Sequence, residues 1–310
     1  MTSCPSCDPV SYTIELCNKM AVLESEQLQI AEGILRQFLP ESLKVYGCLF
    51  NINRGKPHNI EVIADSWPDF KVILCRPKRQ GVLDREGDFN IHSIFSRDKE
   101  SLGKLLQRPG VIDWSRFSLL AGVDLNHLDV VKDLALSRNV PARTQTVVYV
   151  MTLEDSSQLR QLPEHSDARC RLARLSPSHA ELVNANWSFG GDRNSYNSVL
   201  NYISHNPSLC VLDERGKPIS WILMYQHCAL GLLYTLPDHR RQGHARLLVT
   251  EMSRQLLEQG YPVYCFVEEE NRISYQLFTS LGFRHKPDYR AVWFQLSLRQ
   301  QAGSSGAPAL

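Results

Sequence analysis

Residues 233–245 read Leu-Tyr-Thr-Leu-Pro-Asp-His-Arg-Arg-Gln-Gly-His-Ala. An apolar run suited to a strand stops at Pro237, a polar loop carrying Gly243 follows, and from Ala245 the apolar residues take up helical spacing. A strand that passes through a glycine-bearing loop into a helix start aims several backbone N–H groups at one point. The helix dipole adds positive potential there. Such a stretch is a cradle for a phosphate group.

The rest of the composition limits what the cradle can belong to. With 310 residues, 43% hydrophobic and 22% charged, the chain is long enough for two globular domains with sizeable cores. A formal net charge of +1 leaves no broad field for nucleic acid, so an anion site must be local. No apolar run approaches the roughly 20 residues needed to span a bilayer. The nine cysteines are an odd number spread along the chain, which predicts a reduced, intracellular protein. Cys4-Pro-Ser-Cys7 has redox or metal spacing, but no second pair completes a metal site, and no metal is expected. The N-terminus lacks an Arg-rich, acid-poor presequence: Lys19 is the only base before Arg36, and Glu15, Glu24 and Glu26 share the stretch.

Read in order, residues 1–20 are a tail, and 21–38 carry helical spacing that Pro40 ends. The spacing predicts a strand over 43–52, a turn at Arg54-Gly-Lys-Pro57 and a returning strand over 60–64, which together make a hairpin. Further strands are expected at 70–75, 89–95 and 146–151, with helices at 99–107 and 125–138. A polar, aperiodic linker occupies 153–168. The second half has helices at 176–187 and 195–205, a hairpin of strands 209–212 and 219–226, and a strand over 229–236 that feeds the cradle. A helix over 245–259, a strand at 263–267, a short helix at 272–281 and a strand at 292–296 complete it, and 299–310 are a tail. Ser-Leu-x-Val followed by Arg-Gly-Lys-Pro recurs at 42–63 and 208–224, which suggests a duplicated α/β unit in which only the second copy keeps the phosphate loop.

Two stretches, Arg240-x-x-Gly243-x-Ala245 and Val267-x-x-x-Asn271-x-x-Ser274-x-x-Leu277-Phe278-x-x-Leu281-Gly282-Phe283, together resemble the GNAT acetyltransferase superfamily. A closer resemblance spans both halves. Leu39-Pro-Glu-Ser-Leu-Lys-Val-Tyr-Gly47, Ile52-Asn-Arg-Gly-Lys-Pro57, Asp65-Ser-Trp-Pro-Asp-Phe70, Leu182-Val-Asn-x-x-Trp187-x-Phe-Gly-Gly191 and Tyr234-Thr-Leu-Pro-Asp-His-Arg240 are similar to the glycine N-acyltransferase family. The resemblance implies an α/β (α+β) fold of tandem GNAT-like domains, each a mixed, mostly antiparallel sheet flanked by helices. The first, over 21–152, would be degenerate; the second, over 169–298, would be the acyltransferase. It implies transfer of an acyl group from acyl-CoA, as co-substrate, to the amino group of glycine or a related amino acid. A monomer is expected, without nucleic acid. The family points to mitochondria; the N-terminus does not, and leaves the cytoplasm as the alternative.

Those expectations assign roles. Backbone N–H groups of Arg241, Gln242, Gly243, His244 and Ala245, with Arg240 or Arg241 as charge partners, would hold the pyrophosphate. The strand edge ending at Leu236 would pair with the amides of pantetheine. Asn271 matches a position that often binds the cofactor arm, and it equally suits a helix N-cap. The attacking amine must lose a proton, whereas a thiolate leaves without help. The glutamate that serves this family as base aligns with Ala229, and the superfamily's usual tyrosine acid aligns with Phe278. Strand alternation puts His227 on the face of Ala229, so His227 is the candidate base. It also reads as a histidine at a strand end, and Glu268 is a second candidate within the charge run Glu268-Glu-Glu270. Cys228 reads as a small core residue.

Overall fold

The computed structural model describes residues 20–78, 90–160 and 171–297. The Cys4/Cys7 pair, nearly all of the tails and the second half of the expected linker (161–168) lie outside the described residues. Two sequences of elements follow one another in the same order. The first half runs β1 (Ala21–Val22), α1 (Ser25–Leu35), α2 (Leu43–Asn53), β2 (Ile60–Ala64), β3 (Val72–Pro77), β4 (Ile91–Ser96), α3 (Lys99–Gln107), β5 (Ser118–Asp124), α4 (Leu128–Ser137) and β6 (Ala142–Leu153). The second runs β7 (Arg171–Ala173), α5 (Ala180–Ala185), α6 (Arg193–His205), β8 (Ser208–Leu212), β9 (Pro218–Met224), β10 (Leu230–Thr235), α7 (His244–Glu258), β11 (Val263–Glu268), α8 (Arg272–Ser280), β12 (Arg284–His285) and β13 (Ala291–Leu296).

All thirteen strands join one sheet in the order β1-β2-β3-β4-β5-β13-β6-β11-β10-β9-β8-β7, with β12 beside β6. Among the described residues only β4–β5 and β10–β11 run parallel. The last long strand of each half crosses to the other: β13 pairs with β5, β6 pairs with β11, and the two meet at the centre. The sheet is therefore continuous through the molecule, mixed and mostly antiparallel, with helices on both layers.

Segment 43–52 is a helix, not the expected strand. Every residue from Leu43 to Asn51 is buried, so no polar face betrays the 3.6-residue period, and a continuous apolar run fits either element. The expected hairpin is thus a helix C-terminus followed by β2. The sequence repeat at 42–63 and 208–224 falls out of register with the structural one: the first copy covers α2 and β2, the second β8 and β9. Structurally α2 corresponds to α6, and β2 to β8. The strands β5 and β7 were not expected from the sequence.

The all-buried helix α2 lies across the join between the halves. Tyr264 on β11 donates its hydroxyl hydrogen toward two carbonyls, that of Leu43 at 3.0 Å and that of His227 in the β9–β10 turn. Gly47 is the closest point of this crossing: a Cβ there would run into the His227 carbonyl oxygen and come within 2.6 Å of the Tyr264 hydroxyl. Asn51 Nδ2 donates to the Gln226 carbonyl at 2.7 Å, one turn further along. Gly33, in α1, has open space where its Cβ would be. Gly47→Ala is therefore expected to destabilise the protein by about 1–3 kcal/mol through overpacking. Gly33→Ala should be neutral or stabilise by roughly 0.5–1 kcal/mol through helix propensity. Urea denaturation of the two variants measures the contrast, and equal midpoints would contradict it.

Candidate active site

The parallel strands β10 and β11 share a single register pair, Leu230 with Cys265, and then diverge. In the first half β4 and β5 stay paired over three. The divergence coincides with a bulge: β10 opposes β9 at Gly231–Leu223 and next at Tyr234–Trp221, one residue out of step, with Leu232 in the left-handed region (φ 47°). Gly231 is required because the Tyr225 ring lies where a Cβ would go. The result is a wedge between β10 and β11, in which backbone groups of β10 beyond Leu230 face no partner strand.

At the C-terminal end of β10 stands the cradle. After the turn Pro237–His239, Arg241 (φ 62°) and Gly243 (φ 87°) both adopt left-handed conformations, and Gly243 is the N-cap of α7. A Cβ on Gly243 would meet nothing within 4 Å, so its φ is what calls for glycine. No side chain caps α7 and its first turn holds no acidic residue. Among the described residues, the N–H groups of Arg241, Gln242, Gly243 and Ala245 donate to no acceptor. Alternating left- and right-handed residues with converging donors form an anion nest. Arg240 Nε donates to the Thr235 carbonyl at 3.2 Å, and its guanidinium lies 5.6 Å from the Tyr234 ring, which holds one cation at the rim. Burial, and secondarily the charge of His239, lower the pKa of His244, which keeps it neutral beneath the nest.

The same position in the first half is closed. The N-cap of α3 is Asp98, whose carboxylate accepts from the Ser101 N–H at 2.8 Å and the Ser101 hydroxyl at 3.2 Å, with Glu100 in the first turn. Burial alone would raise the Asp98 pKa, but the Ser101 donors and Lys71 hold it lower.

Other expected site residues divide. Leu236 has both backbone groups engaged, its N–H with the Ile219 carbonyl (2.9 Å) and its carbonyl with the His239 N–H (2.9 Å), so it is not a free strand edge. Asn271 caps α8 by accepting from the Ser274 N–H at 3.0 Å. Phe278 is 5% exposed and packs edge-on against Phe283, and Ala229 is 1% exposed. His227 does not share a strand face with Ala229. It sits in the β9–β10 turn, closed by Tyr225 N–H to the Ala229 carbonyl (2.8 Å) and Cys228 N–H to the Tyr225 carbonyl (3.0 Å), with Cys228 at φ 67°. Strand alternation fails there because the chain reverses. Cys228 is a core residue, its thiol donating to the Gly47 carbonyl at 3.3 Å.

His227 belongs to a connected run of rings: Tyr202–Tyr225 (5.4 Å between centroids), Tyr225–His227 (5.3 Å), His227–Phe266 (5.8 Å) and Phe266–Trp293 (4.8 Å). Lys44, unremarked in the sequence, ends the run. It is 5% exposed, with Nζ 5.4 Å from the Phe266 centroid and 5.2 Å from that of Trp293. Burial lowers its pKa to about 8 from 10.5, a displacement on the order of 3 kcal/mol. A lysine inside the apolar run Leu-Lys-Val-Tyr-Gly-Cys-Leu-Phe was the available signal.

Two family models match the chain in succession, the first reaching past the structural halfway point to the end of α6. Residues 20–207 match a family model described as aralkyl acyl-CoA:amino acid N-acyltransferase, and 210–293 match one described as FR47-like protein. A mouse glycine N-acyltransferase-like protein is 33% identical over 290 residues, 87% of this chain and 97% of its own. The chain belongs to the glycine N-acyltransferase family. A crystal structure of a Drosophila protein superposes with a TM-score of 0.73 at 19% identity, covering 89% of this chain and 98% of that one. A tandem GNAT protein from the clavulanic acid biosynthesis pathway gives 0.51 at 13%, covering 93% and 99%. The fold is that of the GNAT proteins, and the order of elements gives it twice. Among the described residues no helix is long and apolar enough to cross a membrane, and no three side chains form a group able to hold a metal ion.

The pKa of His227 lies well below 6.5, through burial first and the charge of Lys44 second. Between that lowered value and 6.5 the unfolded chain binds a proton that the folded chain does not, so stability rises with pH across this window. His58, His244 and His285 are lowered too and act in the same sense. Acidification from about pH 7 to about pH 5 should therefore lower the urea midpoint, and His227→Gln should flatten that dependence. An unchanged slope in the variant would contradict the lowered pKa of His227.

Proposed function

We propose that this chain transfers an acyl group from acyl-CoA to the amino group of glycine or a related amino acid, by direct attack of the amine within a ternary complex. The observation that carries the reading is the uncapped nest at Arg241–Ala245, at the end of a strand that parts from its parallel neighbour. The nest suits a pyrophosphate, and the guanidinium of Arg240 or Arg241 would supply the counter-charge. From the nest back to the β9–β10 turn, the six residues of β10 measure roughly 20 Å. An acyl-CoA whose pantetheine arm lay along the wedge would bring its thioester toward Ala229 and His227. Asn271 can serve the arm through its amide while its oxygen caps α8.

The chemistry asked of the chain is modest. The amine must give up a proton, and the thiolate leaves unaided. No carboxylate stands at Ala229 and no hydroxyl at Phe278. His227 is neutral at physiological pH and can accept the proton from the amine. The burial that keeps it neutral also disfavours the imidazolium, so the proton must move on to water. A second reading has a specific observation in its favour: with Ala229 and Phe278 both packed into the core, the chain would bind acyl-CoA and turn it over weakly. The family relationship makes mitochondria the compartment to examine first.

Release of free CoA from a panel of acyl-CoAs, with and without glycine and glutamine, separates the two readings. Glycine-dependent release is expected, together with a drop in rate of about 10²–10⁴-fold in His227→Ala at unchanged acyl-CoA affinity. A thermal shift with acyl-CoA but no amine-dependent release would favour the binding protein. Unchanged rates in His227→Ala would dismiss it as the base.

A further inference from the structure

Acyl-CoA binding leaves the buried ammonium of Lys44 without a purpose. Among the described residues no carboxylate pairs with it, and no carbonyl or hydroxyl accepts a hydrogen bond from it. The faces of Phe266 and Trp293 attract the cation, yet an ammonium has three N–H donors that ring faces do not satisfy. Its stem cannot swing aside, because Cβ and Cγ pack against Gly122, where an added Cβ would lie 3.2 Å away. Lys44 is also the second residue of α2, and helix side chains lean toward the N-terminus, the end where a cation is least favoured. Ammonium and helix dipole therefore put positive potential on one spot. That spot adjoins the rings leading to His227, itself neutral. Lys44 is only 5% exposed, yet its Nζ is not sealed from solvent, so an arriving anion can reach it and replace the hydration it has lost.

We propose that Lys44 receives the carboxylate of the acyl acceptor, so that the site selects amino acids over amines lacking a carboxylate. The inference rests on the acyl-transfer reading above. A small amino acid with its carboxylate at Lys44 has its amine within a carbon or two, on the side of Phe266 and His227. The anion also lets Lys44 keep its proton, so that the lysine acts as a positioning charge and not as the base.

Glycine and glycinamide differ only in the charged group, and the amide's amine is the more readily deprotonated, which biases the comparison against the proposal. With wild-type protein, kcat/KM for glycine is expected to exceed that for glycinamide by roughly 30-fold or more. In Lys44→Met the ratio should collapse toward one, with the loss falling on KM for glycine, while Lys44→Arg should recover part of it. The melting temperature of Lys44→Met should not fall, since a largely desolvated charge without a carboxylate partner has been replaced by an apolar chain of similar volume. Equal use of the two acceptors by the wild type would overturn the proposal even if the variants fail to fold. So would equal losses with both acceptors in Lys44→Met. If no amine releases CoA from any acyl-CoA, the acyl-transfer reading fails separately. Binding then decides Lys44: N-acetylglycine should raise the melting temperature of CoA-saturated wild type and N-acetylglycinamide should not. Equal shifts would overturn the assignment.

Discussion

The hydrogen-bond ladders that carry β13 to β5 and β6 to β11 hold this molecule together. Each half of the chain closes its sheet with the other's last strand, so neither core is complete from its own residues. The same exchange brings α2, a first-half helix, over the second half's central strands. There the Tyr264 hydroxyl reaches carbonyls of both. The turn that carries His227 and the start of β10 is thus set against a helix nearly two hundred residues earlier in the chain, at a contact so close that only Gly47 fits.

From this arrangement the two ends of β10 take different characters. The C-terminal end opens into solvent, where left-handed residues and an uncapped helix present donors to an anion. The N-terminal end is aromatic and half-buried, with a neutral histidine and an ammonium that no carboxylate pairs. Low polarity strengthens every electrostatic contact made there, and it explains why the ionisable groups of that end are displaced toward their neutral forms. One strand thus joins an exposed anion nest to a half-buried aromatic cluster.

The sequence disclosed the strand–loop–helix passage because its signals are local: Pro237, Gly243 and the change of period at Ala245 follow closely along the chain. It disclosed most strands and the helix bounds of α3, whose cap Asp98 and first-turn Glu100 are adjacent in the chain. It misread α2, because a helix buried on all sides has no polar stripe, and it misread the place of His227, because a reversal at Cys228 resets alternation. Strand exchange was illegible in principle, and of the Lys44 cluster only the lysine itself stood out in its apolar run. Both depend on partners more than a hundred residues away, and nothing in the neighbouring residues of Lys44 announces Phe266 or Trp293.

Asp98 has a meaning beyond its own helix. The corresponding helix start of the first half has an acidic side chain tied to it, accepting from the Ser101 N–H and the Ser101 hydroxyl, so negative charge at that end is supplied by the fold itself. That carboxylate also stabilises α3, so opening the position to an outside anion by removing Asp98 would sacrifice the cap, on the order of 1 kcal/mol: at this helix start, receptivity and stability exclude one another.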